Sequence, residues 1–340
     1  MSGGRRVAIT GISSHWGAEL ARRLERDPEV DYIAGIDSAP PAADLERTEF
    51  IEADLRSPVL SRLLPSLDAD TVVHCGILWY PEPGRPARSL HEINVIGTLQ
   101  LLAACERTPS LRRVIVRGSA AIYGCEGSSP LLFTEDLARR APLRTRFQRD
   151  VSELEDYFEN FARRHPDLVC CMLRYQPEIG PELDSPIVRY LTLPVVPVQL
   201  GFDPRLQLLH ADDATAAIAA VVRDPIRGAV NVAPSGAISL SRVLRLLGRP
   251  SLPIPHPLFA PAMERFNRHL GAGGLLGDGV RLLRFGRGVD NRRLREEVGF
   301  EPHYDAVGAV RDLAAKLRGR SLGPNLHLGT LAGRLTGVGS

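Results

Sequence analysis

The segment Gly11-Ile12-Ser13-Ser14-His15-Trp16-Gly17 follows the apolar run Arg5–Thr10 and precedes a helical pattern. A tight glycine turn between strand and helix lets backbone N–H groups approach a pyrophosphate, and the helix N-terminus adds partial positive charge. Asp37 stands twenty residues past Gly17, at the end of the second apolar run. A carboxylate there accepts hydrogen bonds from adenosine ribose hydroxyls and repels a 2′-phosphate, which favours NAD over NADP. The spacing is T-G-x-x-G-x-x-G, with Ser14 in place of the middle glycine. The Ser14 hydroxyl has three open roles: capping the helix, donating to a phosphate, or crowding the dinucleotide.

Other residue types restrict the chemistry. The 340-residue chain carries 42 basic and 40 acidic side chains, a net charge of +2, which argues against a nucleic-acid binder or a polybasic membrane protein. Every basic residue except Lys316 is arginine, so the first 315 residues supply no ammonium group. The nine histidines show no H-x-x-x-H or H-E-x-x-H spacing, and no metal is expected. Cys75, Cys105, Cys125, Cys170 and Cys171 lack C-x-x-C spacing. Cys75 and the Cys170–Cys171 pair read as small core residues in a reducing compartment. No stretch reaches the ~18 apolar residues of a membrane span, and the run Val7–Ile9 is too short for a signal peptide. A cytoplasmic protein is expected.

These residues need elements to hold them. Strand-length apolar runs occur at Arg6–Thr10, Tyr32–Asp37, Glu49–Leu55, Thr71–Gly76, Arg113–Val116 and Leu168–Leu173. Helical patterns separate most of them, at Trp16–Arg26, Pro58–Leu64, Leu90–Glu106 and Ser152–Arg164. Alternation with near-continuous apolar strands predicts an α/β fold, a Rossmann-type doubly wound parallel sheet. After Arg174 prolines cluster and the rhythm breaks, with short helices expected at Ala214–Arg223, Leu240–Leu247 and Arg292–Val298. The expected division is a dinucleotide-binding domain over 1–175, a smaller C-terminal substrate lobe over 176–317 with some strands returning to the sheet, and a tail over 318–340. Leu326, Leu328 and Leu331 give that tail an apolar character.

Several further segments occur in a fixed order: Ala53-Asp54-Leu55, Val73-His74-Cys75-Gly76, Asn94-Val95-Ile96-Gly97-Thr98, Gly118-Ser119-Ala120-Ala121-Ile122-Tyr123-Gly124, Thr134-Glu135-Asp136, Leu173-Arg174 with Gly180-Pro181, and Leu209-His210-Ala211-Asp212-Asp213. With the glycine loop, this series resembles the extended short-chain dehydrogenase/reductase family over roughly residues 5–310. It is most similar to the NAD-dependent nucleotide-sugar epimerase/dehydratase group related to UDP-glucose 4-epimerase. The resemblance implies NAD as cofactor and a nucleotide-sugar-like small molecule as ligand. It places Gly11, Ser13, Ser14, His15, Trp16, Gly17, Asp37, Asp54, Leu55, Cys75, Gly76, Asn94, Arg117 and Tyr175 at the cofactor. It also implies dimers through a four-helix interface.

In that family a Tyr-x-x-x-Lys pair opens the fifth helix. The lysine holds the ribose and lowers the tyrosine pKa, and the tyrosinate takes a substrate hydroxyl proton. A glutamate eight residues after the tyrosine sets the register. With Glu155 in that place, Phe147 stands at the tyrosine position and Val151 at the lysine position. Ser119 matches the catalytic Ser/Thr, and Pro177 replaces an asparagine that touches the nucleotide-sugar. Arg146 and Arg149 read either as a solvated edge or as phosphate contacts. Arg205 and Arg284 are candidates for a substrate diphosphate. Two functions follow: a NAD-binding enzyme on a nucleotide-sugar-like ligand with a non-standard active site, or a catalytically degenerate NAD-binding sensor or scaffold.

Overall fold

The apolar runs pair side by side in the computed structural model, which describes residues 4–78, 88–137, 142–269, 275 and 277–321. Among these residues the main sheet has seven strands: β1 (Arg5–Thr10), β2 (Val30–Asp37), β3 (Thr48–Glu52), β4 (Thr71–His74), β5 (Arg113–Ser119), β6 (Val169–Tyr175) and β7 (Gly228–Val232). Their order is β7-β6-β5-β4-β1-β2-β3, and every neighbouring pair is parallel. The chain winds outward from β1 in both directions, so a crevice opens above the carboxyl ends of β1 and β4. Open α/β sheets bind ligands at such a switch point.

Central parallel strands are covered on both faces, which explains why they are apolar without alternation. All four residues of β4 and the last four of β1 are buried. The covering helices include α1 (His15–Leu24), α2 (Leu60–Ser66), α3 (Gly97–Cys105), α4 (Arg146–Arg164) and α5 (Ala211–Arg223). One core joins α1 and α5 to one face of the sheet, through Leu20, Leu24, Ile218 and Val221. The other joins α2, α3 and α4 to the opposite face, through Leu60, Leu101, Phe158 and Phe161. A third core lies in the C-terminal lobe, where α6 (Leu240–Leu247) packs with α7 (Gly277–Phe285) and α8 (Ala306–Ser321).

The structure corrects several expectations. α4 starts at Arg146, six residues before the expected Ser152. Its first turns set Phe147 and Val151 among Arg146, Gln148, Arg149 and Asp150, which dilutes the helical period, yet Thr145 and Gln148 form a capping box, a start signal of another kind. The helix expected over Leu90–Glu106 is interrupted by a π-helical turn at Glu92–Ile96, between Arg88–His91 and α3. Helices at Pro186–Leu191 and His256–His269 were hidden by proline, which is tolerated at the first helical position as at Pro186. β7 returns from the C-terminal half to the sheet edge beside β6. α8 runs to Ser321 and so crosses the expected start of the tail at Arg318; Leu326, Leu328 and Leu331 lie outside the described residues.

One buried ion pair ties α4 to the sheet. Arg174 on β6 donates from Nε to both Glu155 oxygens at 3.1 Å and from a terminal nitrogen to Oε2 at 2.7 Å. Its other terminal nitrogen donates to the Tyr123 hydroxyl at 3.0 Å and the Glu135 carbonyl at 2.7 Å. Tyr123 then donates to Asn231 Oδ1 on β7 at 2.6 Å. Breaking such a pair strands one buried charge, so Arg174→Met alone should cost about 3–5 kcal/mol in urea unfolding. Glu155→Leu with Arg174→Met should recover most of that loss, because the second change removes the stranded carboxylate.

Candidate functional site

The glycine loop sits at the switch point because Gly11 has a backbone few other residues adopt. Its φ is +79°, and a Cβ there would lie 2.5 Å from Gly76 Cα at the end of β4. The bare backbones of Gly11 and Gly76 therefore meet, which leaves open backbone where a pyrophosphate would lie. Ser14 takes the first of its three open roles. Its hydroxyl donates to the Gly11 carbonyl at 2.6 Å and accepts from the Gly17 amide at 3.1 Å, capping α1. The hydroxyl that replaces the middle glycine is thus turned into the loop. Asp37 faces the same loop, accepting from the Ser13 amide at 3.0 Å and hydroxyl at 2.5 Å. This cradle of bare glycine backbone, helix N-terminus and ribose-type carboxylate fits a dinucleotide.

The remaining expected cofactor positions surround the crevice at different depths. Leu55 packs beside Gly76, with its Cδ1 2.7 Å from where a Cβ would stand. Asp54 is half-exposed and pairs with Arg56. His15 is exposed and Trp16 half-buried, their rings edge-on at 5.0 Å. Arg117 and Tyr175 form the floor below. The Arg117 guanidinium lies 4.2 Å from the Trp16 ring centroid and 4.9 Å from that of Tyr175, and it pairs with buried Glu178. The Tyr175 hydroxyl donates to the Ala214 carbonyl at 3.0 Å. Burial pushes the Cys75 thiol up to about 12, so it is a neutral core group. Asn94 holds the segment after β4 by accepting from the Leu78 amide and donating to its carbonyl, both at 2.8 Å.

The comparisons with known proteins agree with this geometry. The sequence model described as the NAD dependent epimerase/dehydratase family matches residues 7–233. The chain belongs to that family. It is 34% identical over 323 residues to an uncharacterized protein of Mycobacterium tuberculosis, covering 94% of this chain and 85% of that one. Two solved structures share the fold. One is a dTDP-glucose 4,6-dehydratase from Bacillus anthracis in complex with NAD, with TM-score 0.71, 14% identity and coverage of 94% of this chain and 98% of that one. The other is a UDP-glucose 4-epimerase from Thermotoga maritima with UDP-glucose, with TM-score 0.71, 17% identity and coverage of 93% and 99%. Membership assigns NAD as the cofactor.

Phe147 and Val151, the residues expected at the Tyr and Lys positions, lie in the first two turns of α4. Val151 is buried in a small apolar cluster with Ile122, Tyr123, Phe133 and Val289, and Phe147 packs against its edge. Ser119 is buried and caps the short 3-10 turn Ala120–Tyr123, accepting from the Ala121 amide at 3.2 Å. Burial pushes the Tyr123 hydroxyl up to about 12, although Arg174 pulls it down. Arg146 and Arg149 are exposed on α4.

The structure brings Arg205 and Arg284 together in a cavity of about 990 Å³, which Arg292 and Arg295 also line. The Arg284 guanidinium covers the rings of Phe202 and Phe285 at 4.9 and 4.7 Å. Buried Arg287 lies at the cavity wall and pairs with Asp278, which accepts from Gln148 beside Phe147. Sequence order gave no sign of this network, because its members come from separate elements. Lys316 also has a surprising position. From α8 it lines a cleft of about 450 Å³ with Ser13, Ser14 and His15, so the sole lysine reaches the outer side of the glycine loop rather than α4. Among the described residues no group of three His, Cys, Asp or Glu side chains could hold a metal, and no described helix is long and apolar enough to cross a membrane.

Two outcomes follow from this site. His74 lies wholly buried between Thr10 at 2.7 Å and Thr98 at 3.0 Å, and burial lowers its pKa to about 4 from the usual 6.5. The unfolded chain binds that proton first, so the stability due to neutral His74 is whole above about pH 6.5 and is lost as pH falls towards 4. A loss of up to about 3 kcal/mol should be read by urea unfolding across this window, and His74→Asn should flatten that slope. Separately, Asp37→Ala should lower the ratio of NAD to NADP affinity by about 10- to 100-fold in calorimetry, from hydrogen bonds to a charged group.

Proposed function

We propose that this chain holds NAD in the glycine crevice and binds a nucleotide-sugar-like diphosphate in the arginine-lined cavity, with a non-standard active site between them. The observation that carries this reading is the pairing of an intact glycine cradle with an arginine cavity. Gly11, Gly76 and Asp37 supply the first, and Arg205 and Arg284 the second. Guanidinium forks suit phosphate oxygens, and an arginine stacked on phenylalanine offers a flat surface for a base. NAD, when bound, supplies the hydride acceptor. The residues of this chain bind, orient and exclude water.

In the register set by Glu155, α4 carries neither group of the family's proton path. Phe147 has no ionisable hydroxyl and Val151 no charge, and Val151 fills the small cluster beside Ser119. This packing also favours a second reading, a catalytically degenerate NAD-binding sensor or scaffold. The double variant Phe147→Tyr with Val151→Lys separates them. With NAD and UDP-glucose, a gain of about 10²–10⁴-fold in NADH formation would support a competent site that lacks the tyrosine base. No NADH from either the wild type or the variant, with both ligands bound, would favour the sensor reading.

A further inference from the structure

A hydroxyl oxidised beside Ser119 needs a proton acceptor, and neither Phe147 nor Val151 is one. A group with the right chemistry stands against the same helix. His91 ends the helical stretch Arg88–His91, and its Nδ1 lies 2.9 Å from Asp150 Oδ1 on α4. The Asp150 side chain is 7% exposed, whereas His91 is 34% exposed, so the carboxylate is buried behind an accessible ring. Asp150 follows Phe147 by three residues, and side chains at that spacing are neighbours on one helix face. The imidazole therefore stands one side chain from the position of the family's tyrosine. Three residues after His91, Asn94 holds both backbone groups of Leu78 in the segment that follows β4.

A carboxylate bonded to Nδ1–H fixes the tautomer, leaves the Nε2 lone pair as acceptor and stabilises the imidazolium that forms. We propose that His91 is the general base of this site and Asp150 its positioning residue. This rests on the reading that a hydroxyl-bearing ligand is oxidised with NAD. The step balances. Nε2 takes the hydroxyl proton, the C–H bond breaks, its electron pair leaves with the hydrogen as hydride for the oxidised nicotinamide, and the C=O bond forms. The products are a carbonyl compound, NADH and His91 imidazolium.

The test has a structural arm and a kinetic arm. In the free protein, nuclear magnetic resonance of isotope-labelled imidazoles should show neutral His91 protonated at Nδ1 and bare at Nε2. Asp150→Asn should shift that pattern. The opposite tautomer in the wild type would overturn the proposal. For the kinetic arm, NADH formation is followed in a single turnover with NAD and each of UDP-glucose, UDP-glucuronic acid and dTDP-glucose. His91→Gln keeps a donor for Asp150, and its folding is checked by thermal unfolding. It should lose about 10²–10⁴-fold in rate while calorimetric affinities for NAD and the sugar nucleotide stay unchanged. An unchanged rate, or no NADH from a wild type that binds both ligands, overturns the role of His91. Failure of the wild type to bind NAD or any of the three sugar nucleotides overturns the underlying reading instead.

Discussion

The Arg174–Glu155 ion pair is the contact on which the architecture of the site depends. It is buried on both sides and couples β6 to the middle of α4. Through the Tyr123 hydroxyl and Asn231 it extends to the segment after β5 and to β7. The helix that carries Phe147, Asp150 and Val151 therefore has one depth and one rotation relative to Ser119. A guanidinium with several fixed donors achieves this because each hydrogen bond comes from a different direction. The same pair makes the region sensitive, since removing one partner leaves a charge with no water to solvate it.

The two halves of the crevice are built differently. The cofactor side relies on missing atoms: Gly11 and Gly76 bring two backbones together that side chains would hold apart. The helix side relies on filled space, with Val151 in a tight apolar cluster. A cradle of bare backbone has little tolerance for change, and Val151 has little room among Ile122, Tyr123 and Phe133. Arginine replaces lysine everywhere but at Lys316, which the fold carries to the other side of that loop.

Much of the fold was legible because central parallel strands write their burial directly into the sequence. Val7–Thr10 and Thr71–His74 are buried on both faces, and both read as apolar runs. The loop was legible because Gly11, Gly17 and Asp37 act through local backbone geometry. The full length of α4 was not, since Arg146, Gln148, Arg149 and Asp150 dilute the i, i+4 spacing that Phe147 and Val151 begin. Nor was the floor under the loop, where Arg117 meets Trp16, Tyr175 and Glu178. Those contacts join residues far apart in the chain, and no local spacing announces them. The Ser14 hydroxyl was open in the sequence and closed by one hydrogen bond to Gly11.

Calorimetric titration of NAD into the purified wild-type chain tests the central claim most directly, because the crevice is the feature on which every later step rests. Saturable binding at one site per chain is the result the Gly11–Gly76 cradle predicts. No heat of binding at millimolar cofactor, from protein shown to be folded, would contradict it.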